Sequence, residues 1–199
     1  VTDALGVEHT FTETEAMTFL LMWRQEDGAR HMRGAVDDDG NHLSSWKWEQ
    51  AQADEIEAGL SPAGKQMLAF LGDSYGSEYD RINDVFTRVW NAPMPRHKLY
   101  APITVRAEQA KGDVIMDPVS GDTMGVGMTP GSLKNRSQTA VAEPDFRDAF
   151  QVYLTHARQM EHFISHAEFA RDALAVVNRN EIKSAIEAAG GEPALKTLL

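Results

Sequence analysis

Cysteine is absent from the 199 residues, which excludes disulfides, Cys-ligated zinc and thiol nucleophiles. Long apolar runs are missing too: the longest, Ala16 to Trp23, has eight residues and includes Thr18, far short of the roughly 20 a helix needs to cross a bilayer. No signal-peptide pattern precedes it, and the opening at Val1 implies a segment of a longer chain. Basic residues are outnumbered 19 to 30, and the resulting charge of −11 disfavours broad nucleic-acid binding, because phosphates repel such a surface. What is present, 42% apolar, 25% charged and 8% aromatic residues, is the composition of a globular chain long enough to bury a core without staples.

Proline and glycine are unevenly spread along the chain. Pro93, Pro95, Pro102, Pro118 and Pro130, with Gly112, Gly121, Gly125, Gly127 and Gly131, crowd the centre. The chain therefore divides into N-terminal helices over about 12–91, an irregular segment over about 92–143, and a long helix with short helices over about 144–199. This predicts a single, mainly α module, an antiparallel helical bundle with a long central excursion. In that excursion Val114-Ile115-Met116 and Met124-Gly125-Val126 flank an Asp117-Pro118 and Gly121-Asp122 turn, the pattern of a small β-hairpin.

Helix boundaries are signalled by side chains that satisfy backbone groups. Thr12 and Glu15 form a capping box, and the helix that follows is expected to bury Ala16 to Trp23, turn polar through Arg33 and end at Asp37-Asp38-Asp39-Gly40-Asn41. A second helix is expected from Ser44 or Ser45 through Trp46 and Trp48 to Gly59. Ser61-Pro62 restarts the chain as cap and first helical residue, and Met67, Leu71, Tyr75, Tyr79, Ile82, Phe86 and Val89 trace one stripe towards Asn91. Gly72 and Gly76, one turn apart on it, suggest close contact with a neighbouring helix. Pro144 is expected to open the longest helix, whose stripe Phe146, Phe150, Tyr153, Ala157, Met160, Ile164, Ala167 and Leu174 is heptad-like and suits packing within the chain or self-association through residues 146–174. Glu181 to Ala189 form a last short helix, and Glu192-Pro193 begin another.

Few residues group as chemistry. His162 and His166, four apart, bring two imidazoles to one side of a helix as a metal pair would, but Phe163 stands where a zinc protease has glutamate, so the surface reading is the simpler one. Asp37-Asp38-Asp39-Gly40-Asn41 resembles the start of a calcium loop, yet position six is His42 and position twelve Trp48. Gly125-Val126-Gly127 lacks the lysine of a phosphate loop. The central segment is locally basic: Arg96, Lys98, Arg106, Lys111, Lys134 and Arg136 against four acids over residues 94–142 leave the remainder at −13. Arg96, Lys98, Arg106, Lys134 and Arg136 are candidates for binding an anionic substrate or nucleic acid, against the simpler reading that they pair with acidic helices. No Gly-x-Ser-x-Gly or His-Glu-x-x-His occurs, no catalytic residue is singled out, and no cofactor is implied.

Three stretches carry a family resemblance. Thr14-Glu15-Ala16-Met17-Thr18-Phe19-Leu20-Leu21-Met22-Trp23-Arg24-Gln25-Glu26-Asp27, Tyr100-Ala101-Pro102 after a long helix, and Ser132-Leu133-Lys134-Asn135-Arg136 followed by a helix with Phe150-Gln151-Val152-Tyr153 resemble segments of the multi-thousand-residue polyvalent or internal virion proteins of tailed phages. The likeness spans residues 12 to 190. It implies a helical, non-catalytic structural or interaction segment whose partners are other parts of the same polypeptide or other virion proteins. It also implies a location in the virion, or in the host cytoplasm after ejection, and a cysteine-free chain suits passage through a tail. The alternative is an enzyme or an anion-binding module built on the basic centre.

Overall fold

The computed structural model describes residues 1–36, 43–94, 96, 99–104, 143–177 and 179–188. These form seven helices: α1 (Glu13–Trp23), α2 (Glu26–Met32), α3 (Gln50–Gly59), α4 (Pro62–Ser77), α5 (Tyr79–Trp90), α6 (Ala149–Val177) and α7 (Asn180–Ala188). The chain is thus mainly helical, with no strand among the described residues. The expected hairpin over 114–126, the Asp37–Asn41 turn and the helix from Glu192 fall outside them.

The capping box sets the start of α1: Glu15 N–H donates to Thr12 Oγ1 (3.3 Å) and Thr12 N–H to Glu15 Oε2 (2.7 Å). All eight residues from Ala16 to Trp23 are buried, as their apolar run requires. The helix does not continue to Arg33. Gln25 adopts extended backbone (φ −99°, ψ 142°), its side chain is buried, and its Nε2 donates to Ala101 O at 2.8 Å, so the chain turns a corner into α2. Gly28 makes that corner possible, since a Cβ there would lie 1.9 Å from Met22 O.

Trp46 and Trp48 are not helical either. They belong to an extended run in which Trp48 N–H donates to Met32 O (3.1 Å), Trp46 Nε1–H to His31 O (3.1 Å), and Lys47 O accepts from Ala4 N–H (2.8 Å). Both tryptophans are buried, while Lys47 between them pairs with Glu49 at the surface, the two-residue alternation of extended chain. Only after Glu49, which caps with Gln52, does α3 begin.

Ser61 Oγ accepts from Gly64 N–H (3.0 Å) with Pro62 in the first helical turn, so α4 starts where the sequence places it. The single helix expected up to Asn91 is two, broken at Glu78, with Asn91 closing α5 in the left-handed conformation (φ 55°). Glu13 at the start of α1 accepts from Ser61 N–H (2.8 Å), and Leu21 lies 3.9 Å from the Cβ position of Gly72. Both contacts rise together along the two helices, so α1 and α4 run parallel. Gly72 thus faces α1, but a Cβ there would make only an ordinary contact, so the expected close approach is not found; Gly76 faces open space.

The same holds for α5 and α6. Arg81 pairs with Glu161 and Arg88 with Glu168, both across 80 residues, an equal offset that only parallel helices produce. These pairs therefore depart from the antiparallel bundle. Short turns force neighbouring helices to run in opposite directions; here residues 24–61 and 91–148 intervene and the chain crosses over.

Two cores result. Phe19, Leu20, Met22, Met32, Trp48, Leu68 and Leu71 centre the first, around an aromatic knot in which Phe19 lies 4.9 Å from Trp48 and 5.1 Å from Phe146 between ring centroids. Ile82, Val85, Met94, Met160, Phe163 and Ala167 form the second. Helix α6, about 43 Å long at 1.5 Å per residue, serves both. It begins at Ala149 rather than Pro144, because Asp145 N–H pairs with Thr104 O (3.0 Å), and Asp148 Oδ1 caps it by accepting from Phe150 and Gln151 N–H (2.9 and 3.0 Å). Its buried stripe is Ala149, His156, Met160, Phe163 and Ala167: Met160 and Ala167 are the expected positions, while Ala149, His156 and Phe163 each stand one before Phe150, Ala157 and Ile164, and Phe150 is exposed. Among the described residues no helix is long and apolar enough to cross a membrane.

Candidate functional site

Where α4, α6 and residues 99–104 meet, three of the four tyrosines surround one histidine. Each is brought by a different local rule. Tyr75 follows Leu68 and Leu71 on the buried face of α4, and Tyr153 and His156 sit one turn apart on α6. Tyr100 precedes Ala101, whose carbonyl is held by Gln25. The His156 ring lies 5.3 Å from Tyr75 and 5.5 Å from Tyr100, and Tyr75 packs edge-on against Tyr153 at 5.4 Å.

His156 is 5% exposed and its Nδ1 has no hydrogen-bond partner; neither does the Tyr75 hydroxyl. Both groups are consequently held in their neutral forms. Burial pulls the imidazole from its ordinary 6.5 down to about 4, and burial, with Tyr100 and Tyr153 nearby, pushes the Tyr75 phenol up. At neutral pH the cluster holds no charge on His156 or Tyr75. Its position matters more: Tyr75 packs in the first core, while Met160 and Phe163, just beyond His156 on α6, pack in the second. Sequence reasoning missed His156, because a histidine breaks an apolar stripe and Ala157 beside it does not.

A second buried ionisable group closes the N-terminal loop. Asp3 Oδ1 accepts from Leu5 and Val7 N–H (3.0 and 2.8 Å), and its Oδ2 lies 3.5 Å from His9 Nε2. The His9 ring is 4.6 Å from Trp48, so the loop is fastened to the first core. At the α1–α4 end, Glu13 is held below the usual carboxylate range by its hydrogen bonds from Ser61. Thr14, then the Gln151 amide, does the same for the helix-capping Asp148.

The structure describes only some of the residues singled out from sequence. Lys98, Arg106, Lys134 and Arg136 lie outside the described residues. Arg96 is exposed and its guanidinium stands 4.7 Å over the Tyr79 ring. His162 and His166 are both exposed on α6, away from its buried stripe, with rings stacked 4.4 Å apart at an interplanar angle of 15°. Leu154, 60% exposed, and Phe169, 75% exposed, share that outer side of α6. Comparison of the chain with protein-family models, with curated proteins and with solved structures finds no match in any of the three.

Proposed function

We propose that the chain is a non-catalytic structural and interaction module of a large phage-encoded polypeptide, carried in the virion or ejected with the genome. One observation carries the reading: the stretches that bear the resemblance are used in packing against each other. Gln25 from the first holds Ala101 of the second, Tyr100 of the second lies against His156, and Tyr153 of the third packs on Tyr75. Arg81 and Arg88 of α5 are likewise engaged with Glu161 and Glu168 of α6. In this reading the irregular segment 92–143, basic over 94–142 and with its hairpin at 114–126, is an excursion from a helical scaffold. The outer side of α6, with Leu154 and Phe169, is the surface offered to the rest of the polypeptide or to another virion protein.

The test is mass spectrometry of gradient-purified particles produced from the genome that encodes the chain. Peptides from residues 148–158 in the particle fraction, within a polypeptide of several thousand residues, support the proposal. A free-standing chain of about this size found only in the lysate overturns it.

A further inference from the structure

His162 and His166 stand one helical turn apart on the exposed side of α6, off the stripe that packs against α5. Their rings are nearly coplanar in orientation, 15° apart, and overlie one another at 4.4 Å. His166 Nδ1 lies 3.0 Å from the carbonyl oxygen of His162. A carbonyl oxygen can only accept, so Nδ1 carries the proton and the lone pair of that imidazole is on Nε2. Metal-binding histidines are prepared in this way, with one ring nitrogen donating to a backbone carbonyl and the other free to ligate.

We propose that His162 and His166 form a two-imidazole chelate for a divalent late transition-metal ion, of the class of copper, nickel or zinc. Imidazole nitrogen suits these ions and not calcium or magnesium, which take oxygen. Ligand distances of about 2.0–2.1 Å put two nitrogens on one ion roughly 3 Å apart, a separation that stacked rings at 4.4 Å reach by small rotations of the side chains. Among the described residues no group of three histidines and carboxylates forms, so the chelate is open and water fills the remaining positions. Glu161 and Glu168 stay with Arg81 and Arg88. Helix α6 holds the spacing in advance, which a disordered chain with the same two histidines would not.

Titration of the full 199-residue chain with copper(II) at neutral pH, followed by electron paramagnetic resonance and calorimetry, tests this. One ion per chain with two equatorial nitrogens is expected, with affinity falling about tenfold or more in each of His162→Gln and His166→Gln, and equally in both. Because both positions are exposed, circular dichroism of the variants should match the parent. A double variant, His42→Gln with His97→Gln, should bind as the parent does. Copper bound equally well without His162 and His166, or lost only in the His42 and His97 variant, overturns the site.

Discussion

The His156 and Tyr75 rings make a T-shaped contact, 5.3 Å between centroids and 64° between planes, and neither the imidazole Nδ1 nor the phenol hydroxyl finds a partner. The fold thus buries a neutral histidine that the unfolded chain would protonate near its ordinary value of 6.5, whereas the folded chain does so only at about 4. Between those values the unfolded state binds the extra proton. Stability is therefore complete above pH 6.5 and is lost as pH falls towards 4, by about 3 kcal/mol from this residue. Urea midpoints measured from pH 8 to pH 4 should show this slope, and His156→Phe should flatten it relative to the parent.

Removing the Tyr75 hydroxyl should help. Tyr75→Phe keeps the ring contacts with Tyr100, Tyr153 and His156 and deletes a buried polar group that has no partner. A gain of about 1 kcal/mol is expected by denaturant unfolding, and a loss would mean that the hydroxyl is satisfied.

Two glycines should respond in opposite directions. A methyl at Gly28 would collide with Met22 O, a backbone atom that cannot move without opening the α1–α2 corner, so Gly28→Ala should cost at least about 2 kcal/mol. Gly76 on α4 has open space around it, and Gly76→Ala should stabilise by up to about 1 kcal/mol through helix propensity. Thermal melts of the two variants check both signs.

Charge swapping checks the parallel register. Glu161→Arg should lower the melting temperature at low salt, and adding Arg81→Glu should restore it, because those two residues face one another. Pairing Arg81→Glu with Glu168→Arg should not restore it, since Glu168 faces Arg88. The differences should fade at high ionic strength.

Local signals in the sequence were legible where a side chain acts on its own neighbours. The Thr12–Glu15 box, the Ser61-Pro62 restart and the burial of Ala16 to Trp23 all appear as the pattern dictates. Features decided by distant partners were hidden. Arg24 to Arg33 reads as the wet side of a helix, yet Gln25 is buried because Ala101, 76 residues away, accepts its amide. Trp46 and Trp48 read as helical until Met32 and Ala4 supply the backbone partners of an extended run. The stripe across Tyr75, Tyr79 and Ile82 keeps its spacing through the break at Glu78, so periodicity alone does not mark it. Of the sites, the His162–His166 spacing was visible, but His156 was not, because its burial depends on Tyr75 and Tyr100.

The crossover that makes α5 and α6 run side by side also sets the order of events on a ribosome. Ile82 and Val85 emerge about 80 residues before the chain segment that will cover them. At 5–20 residues per second this is a delay of roughly 4–16 s. For that interval a nascent chain presents a greasy helix with nothing opposite it, so slowing translation across residues 91–148 should raise the share of newly made protein that clumps or recruits chaperones.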